Sequence, residues 1–257
     1  MSILLEVNRI IKRFGGLIAL DQVDIKVEEG QIFGLIGPNG AGKTTLFNII
    51  SGFYSPTSGK VIFGKSDITG KNPEQLARVG IARTFQNTML FDDWAVLQNV
   101  VAAHYLHANS SIFDNAFRQG VVRNTERMIL EKSLELLEEA GLTSYKDELA
   151  RNLPYGYQRK LSICMALAVK PRLLLLDEPA AGMNLQEIED LTSLIARIRE
   201  KGVTIMLIEH NMKAVMGLCN YIAVLNFGRK IAEGIPSVVA NNSDVIEAYL
   251  GKGDISA

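Results

Sequence analysis

Apolar positions along the chain change texture twice. Residues 3–36 alternate short apolar runs with turns: Leu4-Leu5-Glu6-Val7, Val23-Asp24-Ile25-Lys26-Val27 and Ile32-Phe33-Gly34-Leu35-Ile36. Strands spaced this closely predict an antiparallel layer. The third run is short and apolar throughout, which suits a buried strand. It enters a glycine-rich stretch, after which Thr45-Leu46-Phe47-Asn48-Ile49-Ile50 reads as a helix starting at about Gly42. Ser55-Pro56-Thr57-Ser58-Gly59 is a turn, Lys60-Val61-Ile62-Phe63-Gly64 a strand, and Pro73 the first position of a short helix. Ile81-Ala82-Arg83-Thr84-Phe85 reads as a further strand.

From about 88 to 165 strand-like runs vanish. Leu130, Leu134 and Leu137 recur at helical spacing among Glu131, Lys132, Glu135, Glu138 and Glu139, and Gly141 suits a C-cap. Residues 107–120 read as a polar connection carrying Phe113 and Phe117. Leu173-Leu174-Leu175-Leu176 then predicts a buried parallel strand. Ile188, Leu191, Leu194, Ile195 and Ile198 form one face of a helix, and Val203–Ile208 another buried strand. Strands near 221–226 and 229–233 and a helix through Val245–Leu250 close the chain. The pattern predicts an α/β core from residues 1–87 and 166–257, with an antiparallel β layer. A helical subdomain, 88–165, is inserted into it, its charge runs read as solvated faces.

Bulk properties narrow the function classes. With 257 residues, 47% hydrophobic and 21% charged, the chain has material for one large domain with a full core. A formal net charge of −1 gives no reason to expect nucleic acid as partner. No apolar run approaches twenty residues, and Met1–Glu6 lacks the basic-then-apolar pattern of an export signal. The expected compartment is the cytoplasm. Cys164 and Cys219 lie among apolar neighbours and read as small core residues.

The chemistry gathers at predicted strand ends. Gly37-Pro38-Asn39-Gly40-Ala41-Gly42-Lys43-Thr44-Thr45 has the spacing G-x-x-x-x-G-K-T between strand and helix, the mark of a P-loop. Glycines let backbone amides wrap a phosphate, and the helix adds its positive end. Lys43 supplies a point charge for β- and γ-phosphates, and the Thr44 hydroxyl suits Mg²⁺. Asp177 and Glu178 follow the leucine strand; the first suits the water shell of Mg²⁺, the second suits taking a proton from an attacking water. Gln86, just past a strand, suits ligating Mg²⁺ or orienting water, or is a polar loop residue. His210 follows another strand with Glu209, and there suits a γ-phosphate contact better than a structural role. Phe14, before a turn, suits stacking on a purine ring, although an aromatic beside a glycine pair is more often core.

Taken together, Gly37–Thr45, Gln86, Leu153-Pro154-Tyr155-Gly156-Tyr157-Gln158, Leu173–Glu178, Ala180-Ala181-Gly182-Met183-Asn184 and His210 resemble the ATP-binding cassette subunits in order and spacing, over nearly the whole chain. Arg83-Thr84-Phe85-Gln86, Asp177–Gly182 and Glu247-Ala248-Tyr249-Leu250-Gly251 look like the branched-chain amino-acid importer ATPases; lipopolysaccharide-transport ATPases share much of this. The resemblance implies an ATPase with a P-loop core that works in head-to-tail pairs. Each ATP then lies between one chain's glycine loop and the other's signature, Leu153 to Gln158, which opens a helix running from Gln158 to Val169. It implies Phe14 as the adenine-stacking residue, Glu178 as general base and His210 on the γ-phosphate. Gln86 and the helical subdomain would pass closure to membrane permease subunits, fed by a periplasmic or extracellular substrate-binding protein. The chain would sit peripherally on the inner face of the membrane. Two rivals are the same motor with another cargo, including outward lipid or polysaccharide transport, and a soluble non-transport cassette; the single cassette and lack of heptads argue against the latter. Two departures stand out. Pro154 replaces the usual signature serine and has neither hydroxyl nor N–H. Asn184 stands where many cassettes have aspartate.

Overall fold

Strand β1 (Ile3–Phe14) and strand β2 (Leu17–Glu28) are each 12 residues long and pair antiparallel across the Gly15-Gly16 turn. Sequence alternation breaks them into shorter pieces because the pairing is bulged. Register shifts interrupt it at several points, and Arg9 and Gln22 adopt positive φ within the strands. The computed structural model describes residues 2–86, 89–107 and 119–250; Phe113, Phe117, Gly251 and the middle of the predicted 107–120 connection lie outside the described residues. Strands β4 (Ser58–Phe63) and β5 (Ser66–Asp67) complete a four-stranded sheet in the order β2-β1-β4-β5.

A second sheet holds β3 (Ile32–Ile36), β6 (Ile81–Arg83), β7 (Leu173–Asp177), β8 (Thr204–Ile208), β9 (Tyr221–Asn226) and β10 (Arg229–Gly234), in the order β10-β9-β3-β8-β7-β6. All neighbours are parallel except β9 and β10. Every residue of β3, β7 and β8 is buried, as a sheet covered on both faces requires. Phe33, Leu35, Leu173, Leu175, Met206 and Ile208 join the core shared with the antiparallel sheet. Ile32, Ile36, Leu174, Leu176, Ile205 and Leu207 join the core beneath the helices. One strand therefore feeds two cores by alternation.

Among the described residues the helices are α1 (Lys43–Ile50), α2 (Pro73–Arg78), α3 (Val96–His107), α4 (Gln119–Glu139), α5 (Tyr155–Leu167), α6 (Leu185–Glu200), α7 (Met212–Leu218), α8 (Pro236–Ala240) and α9 (Ser243–Leu250). Between β6 and β7 the described residues form helices and short helical turns, with α3 packed on both α4 and α5. In α4 the buried stripe is Ile129, Ser133 and Leu137, while Leu130 is 44% exposed. The predicted leucine face is thus rotated by about one position. The Ser133 hydroxyl donates to the Ile129 carbonyl at 2.8 Å, which makes a serine acceptable there. Cys164 lies in α5 and Cys219 caps α7; both are buried and unpaired, and burial pushes each thiol up to about 12. Among the described residues no helix is long and apolar enough to cross a membrane.

Candidate functional site

The glycine loop leaves β3 at Gly37, whose φ is +148°; a Cβ there would lie 2.1 Å from the Leu225 carbonyl oxygen. Gly42 caps α1 at φ +100°, with the Ala19 carbonyl oxygen 2.7 Å from any added Cβ. Only glycine fits either position. No side chain caps α1, so its first amides keep their capacity for an anion. Lys43 is buried and donates to the Gly37 and Pro38 carbonyls at 2.7 and 3.0 Å. Burial lowers its pKa, and the charges of Glu178 and Asp177 partly oppose that. Asn39, Gly40 and Thr44 are exposed, while Ala41 is buried and accepts from the Gly228 amide at 3.0 Å.

Asp177 ends β7 and is buried against Arg83, whose Nη2 donates to its Oδ2 at 2.8 Å. Arg83 Nη1 also donates to Asn48 Oδ1 and Ser51 Oγ, each at 2.7 Å. Its guanidinium lies over the rings of Phe47, Phe53 and Phe85, 5.0–5.7 Å from their centroids. Glu178 takes φ +47°, rare for a side-chain-bearing residue. Both its carboxylate oxygens are engaged: Gln86 Nε2 donates to Oε2 at 2.9 Å, and His210 Nε2 lies 2.9 Å from Oε1.

Glu209 is buried, and its carboxylate accepts from the Ala180 amide at 2.7 Å and from those of His210 and Asn211 at 3.1 and 3.3 Å. It fastens the histidine loop to the segment after Glu178. Arg83 and Glu209, visible in the sequence beside Gln86 and His210, are site-forming residues to which the motifs assign no role. Their signals were a charge within the apolar strand Ile81-Ala82-Arg83 and a carboxylate beside His210.

Lys43, Gln86, Asp177, Glu178 and His210 therefore meet at the C-terminal ends of β3, β6, β7 and β8, the end where parallel sheets bind ligands. Thr44 and Asp177 offer hard oxygen donors suited to Mg²⁺, whereas Gln86 turns its amide to Glu178. Among the described residues no group of three or more His, Cys, Asp or Glu could hold a metal unaided. Phe14 is half exposed and meets Tyr54 edge-on at 5.4 Å, with Lys12 Nζ 4.9 Å above it. Among the described residues no hydrogen bond joins residues 153–158 to the glycine loop of their own chain. Helix α5 starts at Tyr155, three residues before the expected Gln158 and directly after Pro154 at the N-cap. Leu153 is buried and accepts from Gln158 Nε2 at 3.0 Å; Tyr157 packs on Tyr145 at 5.0 Å; a Cβ on Gly156 would lie 2.8 Å from Glu187 Oε1.

Fold and site together define an ATPase cassette, and comparison with known proteins gives the family. The family described as ABC transporter matches residues 20–181, and the one described as branched-chain amino acid ATP-binding cassette transporter matches residues 229–255. The chain belongs to the ABC transporter family. It is 44% identical over 250 residues to the high-affinity branched-chain amino acid transport ATP-binding protein BraF of Pseudomonas aeruginosa, covering 97% of this chain and 98% of that one. It is 42% identical, with the same coverage, to LivG of Escherichia coli K12, which bears the same description. A crystal structure of a nucleotide-free ATP-binding cassette from an ABC transporter superposes with a TM-score of 0.85 at 32% identity, covering 98% of this chain and all of that one. The ADP conformation of MJ1267, an ATP-binding cassette of an ABC transporter, gives 0.85 at 31% with the same coverage.

Proposed function

We propose that the chain is the ATP-hydrolysing subunit of a transporter that moves branched-chain or related amino acids across the cytoplasmic membrane. The observation that carries the mechanism is Glu178, whose two oxygens are held by Gln86 and His210 beside Lys43. In this reading Gly37–Thr45 hold the phosphates, with Lys43 leaving its own loop carbonyls for the γ-phosphate. Phe14 stacks on adenine. His210 shifts to the γ-phosphate, releasing one Glu178 oxygen to take the proton of the attacking water. Phosphate leaves with the water oxygen, and ADP keeps the bridging oxygen's electron pair. Mg²⁺, held by Thr44, Asp177 and Gln86, would supply charge neutralisation on the β- and γ-phosphate oxygens.

The signature, Leu153–Gln158, serves the ATP of a second ATPase subunit, identical or related, a reading supported by the absence, among the described residues, of any hydrogen bond from it to the chain's own glycine loop. Residues 1–87 and 166–257 form the ATP-binding core and 88–165 the helical subdomain. The permease contact is assigned to the apolar groove of about 450 Å³ lined by Phe53, Phe85, Met89, Ala103, Met165 and Val169. Through the permease subunits the motor meets an extracytoplasmic binding protein, and the chain lies peripherally on the inner face of the membrane. The 44% and 42% identity to branched-chain amino acid transport proteins supports the cargo.

The test is reconstitution in liposomes with the permease subunits and binding protein of the same operon. ATP is expected to drive uptake of labelled leucine, competed by isoleucine and valine. ATP-dependent outward movement of lipid, or uptake that no branched-chain amino acid competes for, contradicts the reading.

A further inference from the structure

Arg159, in the second turn of α5, is 4% exposed and has no carboxylate partner among the described residues. Its Nη1 donates to the Phe85 carbonyl at 3.0 Å and its Nη2 to the Tyr155 hydroxyl at 2.5 Å. The guanidinium carbon lies 5.0 Å from the centre of the Tyr155 ring, and Nε is buried without a partner. Phe85 immediately precedes Gln86. The Tyr155 ring in turn rests on the backbone at Gly182: a Cβ there, at φ +77°, would lie 3.3 Å from Tyr155 Cε1. One guanidinium thus ties together the segment before Gln86, the start of α5 and, through Tyr155, the turn after Glu178.

A buried cation with no anion among the described residues is an expensive way to hold three segments together; an apolar side chain of similar volume would brace them at lower cost. What the guanidinium adds is direction. Its planar fork addresses a carbonyl on one side and a hydroxyl on the other, so moving either changes the geometry of both. We propose that Arg159 and Tyr155 form a clamp that sets the signature segment from the position of the Gln86 loop, so that a chain engages its partner's ATP only when its own Gln86 loop is seated. Arg159 is a positioning residue here. The proposal rests on the reading that ATP closes two chains, because the signature acts across that pair.

The test uses the full chain carrying Glu178→Gln, which is expected to bind ATP without turning it over, with Tyr155→Phe, Arg159→Lys and both together. Tyr155→Phe keeps the ring on Gly182 and removes only the hydroxyl; lysine keeps the charge and loses the fork. Sedimentation gives the ATP-dependent dimer constant, fluorescent ATP the affinity of the dilute single chain, and hydrogen exchange the local opening without nucleotide. Each single change is expected to weaken the dimer roughly tenfold. The double variant should be no weaker than the weaker single, since each change removes the other's partner. Single-chain ATP affinity should stay within about twofold. Exchange should quicken at residues 84–86 as well as 155–159.

Unchanged dimerisation, independent additive losses, or faster exchange confined to 155–159 would overturn the clamp. So would loss of single-chain ATP binding in step with a lowered melting temperature, which marks a brace for the fold. If the Glu178→Gln parent dimerises and the variants match it, the clamp alone fails. If the parent stays monomeric at saturating ATP, the two-chain reading fails and the clamp with it.

Discussion

Lys43 gives its ammonium to two carbonyls of its own loop, a bond set that a phosphate can take over without reorganising the backbone. Lys43→Ala should therefore leave the fold in place and abolish ATP binding, read by fluorescent nucleotide titration; tight binding would remove the glycine loop from the site. Arg83 is the converse case. Its loss strands Asp177 as a buried carboxylate, so Arg83→Leu should cost about 3–5 kcal/mol in urea unfolding. A change below about 1 kcal/mol would mean that Asp177 finds solvent instead. Pro154 caps α5 with no side-chain bond. In Pro154→Ser the hydroxyl gains a helix amide as donor partner and its proton stays available for a phosphate across the pair. At ~1 kcal/mol per site the dimer constant should rise roughly thirtyfold in the Glu178→Gln background. Equal or weaker dimerisation would mean that residue 154 does not face that phosphate. Lys43, Asp177 and Glu178 were legible because their spacing is local. Arg83 and Arg159 were not, because their partners, Asp177 and the Phe85 carbonyl, lie 94 and 74 residues away along the chain.

Among the elements, α6 explains one of the two departures from the usual cassette pattern. Asn184 is its N-cap, accepting from the Glu187 amide at 3.0 Å while Glu187 accepts the Asn184 amide at 2.9 Å. Aspartate would cap as well, so Asn184→Asp should be nearly neutral in thermal unfolding, while Asn184→Ala should cost about 1 kcal/mol. An equal loss for both would show that the amide group itself is needed elsewhere. The buried strands β3, β7 and β8 were readable as apolar runs. The ends of β1 and β2 were not, since bulges destroy period-2 alternation. The start of α5 was displaced because Tyr155, Gly156 and Tyr157 carry no helical periodicity, whereas Pro154 marks the boundary.

For the molecule as a whole, the groups between β6 and β7 bear on pH dependence. His104 of α3 is partly buried, with Lys132 of α4 and Lys170 beyond α5 nearby; burial, then those two charges, hold its pKa below the ordinary value, against a hydrogen bond to the Ala168 backbone. The unfolded chain takes up a proton below about pH 6.5 while the folded chain does not, so stability falls as pH drops from there toward the folded value. His104→Gln should flatten that part of the stability profile, and an unchanged slope would assign the acid limb to other groups.

The central claim, that ATP closes two of these chains and Glu178 opens them by hydrolysis, is tested most directly by sedimentation of Glu178→Gln with ATP and Mg²⁺. The predicted result is a nucleotide-dependent doubling of mass that does not decay, with hydrolysis stopped and ATP affinity kept. A chain that stays monomeric at saturating ATP and still hydrolyses it at the unsubstituted rate would contradict it.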